Sequence, residues 1–350
     1  MLHMKIDPAT AGQREAVLVV AGAAPSLDQL ALTAEGLDFL RAAWFEAAAD
    51  SSLVTLEARR GDGQPVAAIP LVARKPKAAR LSEVPGSYWP FRGLPVAGDC
   101  GDFELRALLA SPRLGRAWRW GPVPADDEAL ARIAALAPSC GWAVLRRRLA
   151  TTYRVDLKGL TANGGPWPTT KTLRKNRWLE RRLAEQGELE FRTISGPAWT
   201  GEVLDVLAAI EAESWVAGKG DTKFVDRAKR RIWARALQDP ALAAMLSCSL
   251  LHVGGVPAAF TFSVTSGGTR YYIANGYSAR FAERSPGRIL LYRDFAQAAA
   301  AGIETIGWGA GDPGYKTEMG AEPGPELIDC LFVRGRMLGA LARPFWERRG

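Results

Sequence analysis

Between Ala241 and Thr269 the chain carries no charged residue, and this run restricts the possible folds more than any other stretch. A membrane-spanning helix needs about 20 predominantly apolar residues. Here Gly254, Gly255 and Pro257 interrupt the run near its middle, with His252 beside the break and serines toward its ends. Two buried β-strands, Leu246 to Val264 with a turn at the glycines, satisfy the same composition. Their backbone groups pair with one another while the apolar side chains enter a core. The expectation is a hairpin, not a transmembrane segment.

The rest of the chain reads as alternating helices and strands. Apolar residues at helical spacing predict a helix from about Thr33 to Ala49, then a hairpin of Ser52 to Ala58 and Val66 to Ala73. A cluster of Gly, Pro and Asn without periodicity, Gly159 to Pro168, marks the best boundary between two halves. Beyond it come a basic helix (Thr169 to Gln186), a helix from Gly201 to Ser214, another over Phe224 to Gln238, and the apolar hairpin. A strand to Gly276, a helix (Pro286 to Ala301), a strand (Glu304 to Gly307) and a strand (Glu326 to Val333) follow. The halves echo each other: Gly63-Gln64-Pro65-Val66-Ala67-Ala68 resembles Gly255-Val256-Pro257-Ala258-Ala259-Phe260, and each opens the second strand of a hairpin. A chain of 350 residues has room for two domains. The order of elements predicts a duplicated α/β unit, a sheet with helices on its faces.

Composition excludes more than it selects. Lys plus Arg number 45 against 37 Asp plus Glu, an excess that favours anionic partners without choosing among them. The four cysteines, Cys100, Cys140, Cys248 and Cys330, form no C-x-x-C pair, and the N-terminus lacks a long apolar core. Scattered thiols point to a reducing, cytoplasmic setting. With only His3 and His252 available, a histidine triad or H-E-x-x-H zinc site is out of reach. The loop Gly307-Trp308-Gly309-Ala310-Gly311-Asp312 is not followed by a helix pattern, so it is no dinucleotide fingerprint.

The segment Tyr277 to Gly302 carries the sharpest chemical signal. Ser285 is placed to cap a helix, Pro286 suits its first turn and Gly302 its end. The free N–H groups and positive dipole end near Gly287 and Arg288, with Arg284 beside them, either simply begin a helix or seat a phosphate. The corresponding helix of the first half starts among Asp99, Asp102 and Glu104, whose carboxylates repel an anion. A phosphate-bearing ligand is therefore expected in the second half only.

Taken in order, these features resemble a known family. From about Lys171 to Gly320 the chain is similar to the GNAT-type acyltransferase domain of the CelD/BcsL group, related to FemAB-like transferases. The resemblance rests on the basic helix Lys171 to Arg182, Glu211-Ala-Glu-Ser-Trp215, Gly218-Lys219-Gly220, the Gly-x-Pro-Ala-Ala hairpin, Ser285-Pro286-Gly287, and Asp312 with Tyr315-Lys316. It implies two tandem GNAT-like domains, each a mixed, mostly antiparallel sheet flanked by helices: a degenerate one over 1–160 and an acyl-CoA-binding one over 169–350. The implied donor is acetyl-CoA or another acyl-CoA, with no metal. The implied acceptor is an amine on an anionic or lipid-linked sugar in exopolysaccharide or envelope glycan synthesis, which is compatible with peripheral contact at the inner membrane or with the synthesis machinery. Two other functions stay open: a FemAB-like aminoacyl transferase using tRNA, the one reading that involves nucleic acid, and a non-catalytic glycan-assembly module.

The resemblance also assigns candidate residues. Asp312, Tyr315 and Lys316 form the catalytic loop, with Glu211 the other candidate for proton transfer. Asn275 and Tyr277 lie near the thioester if the donor's pantetheine pairs with a splayed strand, and Arg284, Ser285, Gly287 and Arg288 hold its pyrophosphate. Trp215 and Lys219 border the acceptor. On a helical wheel Lys171, Arg174, Lys175, Arg177, Arg181 and Arg182 share one side with Trp178, opposite Leu173, Leu179 and Leu183. That side is either a solvated face or a clamp for an anionic acceptor, formed by Arg174, Lys175, Trp178 and Arg182.

Overall fold

The structure, a computed structural model, describes residues 16–34, 36–50, 52–74, 80–86, 89–162, 170–214, 216–220, 222–311 and 314–348. The first half opens with β1 (Ala16–Ala21), α1 (Ser26–Thr33) and α2 (Ala42–Ala48). Strands β2 (Leu53–Arg59), β3 (Pro65–Ala73) and β4 (Leu81–Glu83) follow. Then come α3 (Asp102–Ala110), β5 (Ala117–Pro124), α4 (Glu128–Leu136), the long β6 (Trp142–Asp156) and α5 (Leu157–Ala162). The second half begins with α6 (Thr170–Ala184), β7 (Leu189–Ser195), α7 (Gly201–Glu213), α8 (Arg227–Ala236) and α9 (Pro240–Met245). It continues through β8 (Leu246–Val253), β9 (Val256–Ser266), β10 (Thr269–Tyr277) and α10 (Pro286–Ala300). It ends with β11 (Thr305–Ala310), α11 (Tyr315–Glu318), β12 (Glu322–Arg334) and α12 (Arg336–Glu347).

All the strands join one 12-stranded sheet in the order β1-β2-β3-β4-β5-β12-β6-β11-β10-β9-β8-β7. Read inward from either edge, the pattern repeats. Three antiparallel pairings are followed by one parallel pairing, β4 with β5 and β10 with β11. The next strand is then exchanged. β6, from the first half, pairs with β11, while β12, from the second, pairs with β5. β6 and β12 run antiparallel to each other in the middle of the sheet. The expected α/β architecture, a mostly antiparallel sheet flanked by helices, is what forms, and the exchange makes it one continuous sheet.

The charge-free run becomes β8 and β9, whose register runs from Leu246↔Val264 to Val253↔Val256 around the Gly254-Gly255 turn. The two Gly-x-Pro segments open β3 and β9, which occupy equivalent places in the repeat. No helix among the described residues is long and apolar enough to cross a membrane. Of the helix expected from Thr33 to Ala49 only the last part forms, as α2; α1 ends at Thr33, where that helix was expected to begin. Gly36 between them has φ +72° and packs against Gly267, where a Cβ would come within 2.6 Å of Gly36 Cα. Asp38 N–H donates to Ser266 Oγ at 3.2 Å. Tertiary contact with the β9–β10 turn overrides the helical pattern there.

Helix α10 is pinned to the sheet by a buried carboxylate. Asp294 accepts hydrogen bonds from Ser249 Oγ on β8 (3.0 Å), Thr261 Oγ1 on β9 (2.8 Å), and Arg270 Nη1 (3.0 Å) and Tyr272 OH on β10. Burial, and then the adjacent carboxylate, push the Tyr272 phenol well above its ordinary range, so it stays a donor. Around this centre Leu291, Phe295 and Ala298 of α10 pack with Ile306 and Trp308 of β11 and Val155 of β6. Helices α7 and α8 cover the other side, where Trp233 stacks edge-on to Phe262 at 5.0 Å.

Replacing Asp294 with Ala leaves the Arg270 charge and three hydroxyls buried without their acceptor. We expect Asp294→Ala to lower unfolding free energy by about 3–5 kcal/mol, measured by urea denaturation. A loss below about 1 kcal/mol, the scale of one ordinary hydrogen bond, is incompatible with this anchoring role.

Candidate active site

Strands β10 and β11 start together and then part. Their parallel pairing covers Thr269↔Thr305, Arg270↔Ile306 and Tyr271↔Gly307, and it stops there. On β10 a bulge at Ile273 interrupts the register with β9 between Tyr272 and Ala274. On β11 the chain curls where Gly309 (φ +64°) and Gly311 (φ +71°) take left-handed conformations. The carbonyls so gathered surround Lys316, whose Nζ donates to Trp308 O (2.6 Å), Gly309 O (3.4 Å) and Ala310 O (3.2 Å). Between Tyr272–Tyr277 and Trp308–Ala310 lies a wedge bordered by two strand edges.

The N-terminus of α10 stands at this wedge. Ser285 does not cap it with its side chain as expected: the residue is itself left-handed (φ 54°), and its backbone carbonyl accepts from Arg288 and Ile289. Among the described residues the Gly287 N–H has no acceptor. A Cβ on Gly287 would sit 3.1 Å from Tyr277 Cδ1, so the missing side chain lets the Tyr277 ring tie the end of β10 to α10. Past the bulge, Asn275 shares the strand face of Tyr277 and pairs in register with Thr261. Arg284 is half-buried and makes no ion pair among the described residues. Arg288 has partners on two other elements. It donates to Asn176 Oδ1 on α6 (3.2 Å) and to Glu318 Oε2 on α11 (2.8 Å), so it braces the two rims of the wedge.

The catalytic candidates divide in three ways. Asp312 and Trp215 lie outside the described residues, as does the side chain of Lys219. Tyr315 opens α11 and packs edge-on to Trp308 at 5.4 Å, beside the wedge. Lys316 is buried, with its ammonium held by the β11 carbonyls. Glu211 is buried at the end of α7. Its carboxylate accepts the N–H groups of Lys223 (2.7 Å), Phe224 (2.7 Å) and Val225 (2.9 Å), so it organises the loop before α8. Its neighbour Glu213 accepts from Ser278 Oγ, linking α7 to the residue that follows β10.

Sequence reasoning missed Ser278 and Asp294. Both were signalled. Ser278 precedes a turn whose Arg280 N–H it caps at 3.3 Å, and Asp294 interrupts the apolar stripe Leu290, Leu291, Phe295 and Ala298. On α6, Leu179 and Leu183 face inward as expected, with Asn176 in place of Leu173. Lys171, Arg174, Lys175, Arg177, Trp178 and Arg181 are exposed, while Arg182, half-buried, stacks on Trp178 at 4.9 Å.

The first half has the same notch, but fills it itself. β4 pairs with β5 only from Leu81↔Ala117 to Glu83↔Arg119. Beyond that point the turn Trp89–Arg92 fills the gap: Arg92 Nη1 donates to Gly121 O at 2.7 Å and Trp120 Nε1 to Arg92 O at 2.7 Å. At the start of α3 the Glu104 carboxylate is buried over Gly101, where a Cβ would meet Glu104 Oε2 at 2.5 Å. Among the described residues no backbone hydrogen bond joins β10 and β11 past Gly307, whereas in the first half the Trp89–Arg92 turn bridges the corresponding strands.

Residues 170–317 match the family described as acetyltransferase (GNAT) domain. No curated protein matches the chain. Among solved structures the chain is similar to FemX, at 14% identity over 91% of this chain and 98% of that one, with a TM-score of 0.60. It is similar to L-PGS from Bacillus licheniformis at 15% identity, covering 94% and 98%, with a TM-score of 0.55. It is also similar to a tandem GNAT protein from the clavulanic acid biosynthesis pathway at 14% identity, covering 91% and 99%, with a TM-score of 0.50. At such identities the likeness is one of fold. The segment from α6 to α11 thus matches a GNAT acetyltransferase domain, and the chain as a whole is similar in fold to a tandem GNAT protein.

Proposed function

We propose that the chain is an acyl-CoA-dependent N-acyltransferase of the CelD/BcsL type, acetylating an amino sugar for exopolysaccharide or envelope glycan synthesis in the cytoplasm. The observation that carries this reading is the wedge between β10 and β11 opening onto the N-terminus of α10, with its first-half counterpart filled. A pantetheine arm is extended and bears amides, so it suits the strand edge of Tyr272–Tyr277, beside Asn275 and Tyr277. The Gly287 N–H, the dipole of α10 and Arg284 suit its pyrophosphate. The first half (1–160) is then a non-catalytic partner to the donor-binding half (169–350).

The chemistry needs an amine placed in line with the thioester carbonyl and somewhere for its proton to go. An alkylammonium has a pKa of about 10.4, so a base must help near neutral pH. We assign that proton to Asp312, and the proton for the departing thiolate to Tyr315. As the C–N bond forms and the C–S bond breaks, the charges on the two are thereby settled. Lys316 acts as a positioning residue, holding the curl of β11 beneath the loop. Glu211 positions the 223–225 segment, and we assign Trp215 and Lys219 to the acceptor. The exposed Arg174, Lys175 and Trp178, with Arg182, suit the anionic part of the acceptor.

Calorimetry with acetyl-CoA tests the donor. Arg284→Glu, at a half-buried position, should weaken binding by at least about tenfold, or about 1.4 kcal/mol, with an unchanged near-UV spectrum. A wild-type chain that ignores acetyl-CoA moves the assignment to aminoacyl transfer or to a non-catalytic module. Asp312→Asn should lower kcat by roughly a hundredfold while leaving acetyl-CoA affinity in place. If both Asp312→Asn and Tyr315→Phe keep near-normal turnover, the catalytic centre lies elsewhere. Changing Arg174, Lys175 and Arg182 together to Gln should raise the acceptor KM and spare donor affinity. Unchanged kinetics in that variant assign the face to solvent.

A further inference from the structure

Helix α12 carries apolar side chains on two sides. Toward the sheet it uses the narrow stripe Gly339, Ala342 and Trp346. Gly339 is buried on Ala143 of β6 with no room for a side chain. Trp346 Nε1 donates to Asp329 O at 3.3 Å, and the Arg147 guanidinium lies 4.1 Å from its ring centroid. Asp329 is itself buried between Arg119 (2.9 Å) and Arg147 (2.6 Å). The helix is thus fixed along β6 and β12.

Its outward side is the anomaly. Met337, Leu338, Leu341 and Phe345 are exposed to 82%, 50%, 69% and 78%. Met337, Leu341 and Phe345 follow one another at four-residue spacing, so they form one stripe, with Leu338 at its flank. Scattered exposed apolar residues are ordinary on a protein surface, but a contiguous stripe marks a contact. Arg336 precedes the stripe and Arg348 follows it, both exposed, while Arg343 pairs with Glu347 at 2.8 Å. An apolar stripe lying along the surface, with a cation at each end, matches an interface of apolar acyl chains beneath anionic headgroups.

We propose that α12 docks the protein on an anionic lipid surface. Met337, Leu341 and Phe345 enter the boundary between headgroups and acyl chains, and Arg336 and Arg348 meet lipid phosphates. Self-association fits less well. One stripe of a three-turn helix falls short of the ~800 Å² per partner of a stable interface. A two-fold pairing of the stripe also brings arginine against arginine at its ends.

Flotation of the full chain with vesicles tests this. Vesicles of equal parts phosphatidylcholine and phosphatidylglycerol should carry the protein, pure phosphatidylcholine should carry far less, and high salt should release it. Leu341→Asp with Phe345→Asp, both at exposed positions, should lower partitioning by at least about tenfold with an unchanged far-UV spectrum. Arg336→Glu with Arg348→Glu should remove the preference for phosphatidylglycerol, which gives a second measurement should the first variant misfold. The proposal is overturned if the mixed vesicles leave the wild-type chain behind, or if both variants bind as the wild type does. It is equally overturned if light scattering finds a wild-type dimer that the apolar variant dissolves.

Discussion

The carboxylate of Asp294 holds three neighbouring strands and one helix in a single arrangement, and the geometry of the second half follows from it. Its donors come from β8, β9 and β10, so the position of α10 is set relative to the strand that borders the wedge. A carboxylate buried without such partners would be driven to protonate. With them, it admits one register of helix on sheet. Tyr277 against Gly287 and Arg288 between Asn176 and Glu318 repeat the constraint at the helix end. The first turn of α10 is therefore held at the point where β10 leaves β11.

The opening of that wedge has causes on both strands. The bulge at Ile273 turns β10, and the left-handed glycines turn β11 around Lys316. A buried ammonium enclosed by three carbonyls resists rearrangement, because each lost contact leaves charge uncompensated. In the first half the corresponding space is taken by Arg92 and its turn. Burial lowers that guanidinium's pKa to about 10, leaving it cationic near neutral pH and matched to the carbonyls it meets. A repeated topology has thus been used once as an open edge and once as a closed one.

Much of this was legible along the chain. The charge-free run had to be a hairpin, because its glycines and proline admit no long helix. Pro286 and Gly302 marked the limits of α10, since the chemistry of helix ends is local. The apolar wheel of α6 placed Leu179 and Leu183 inward for the same reason. The break between α1 and α2 was not legible, because it depends on Gly36 meeting Gly267. Nor were the duties of Glu211 and Lys316. A carboxylate at a helix end and a lysine after a loop have the same local pattern whether they face solvent or clamp backbone groups.

By itself the sequence determined that the chain is a repeated α/β unit and that only its second half offers a helix end free of carboxylates: Ser285-Pro286-Gly287 there, Asp102 and Glu104 in the first. Those are matters of residue type at neighbouring positions. The tertiary structure decided that β6 and β12 change places, that the halves share one sheet, and that β10 and β11 part after Gly307. Alternation along a strand says which side chains are buried, but not which strand lies alongside. That choice belongs to contacts between residues far apart in the chain, and it is what turns two similar halves into one closed notch and one open one.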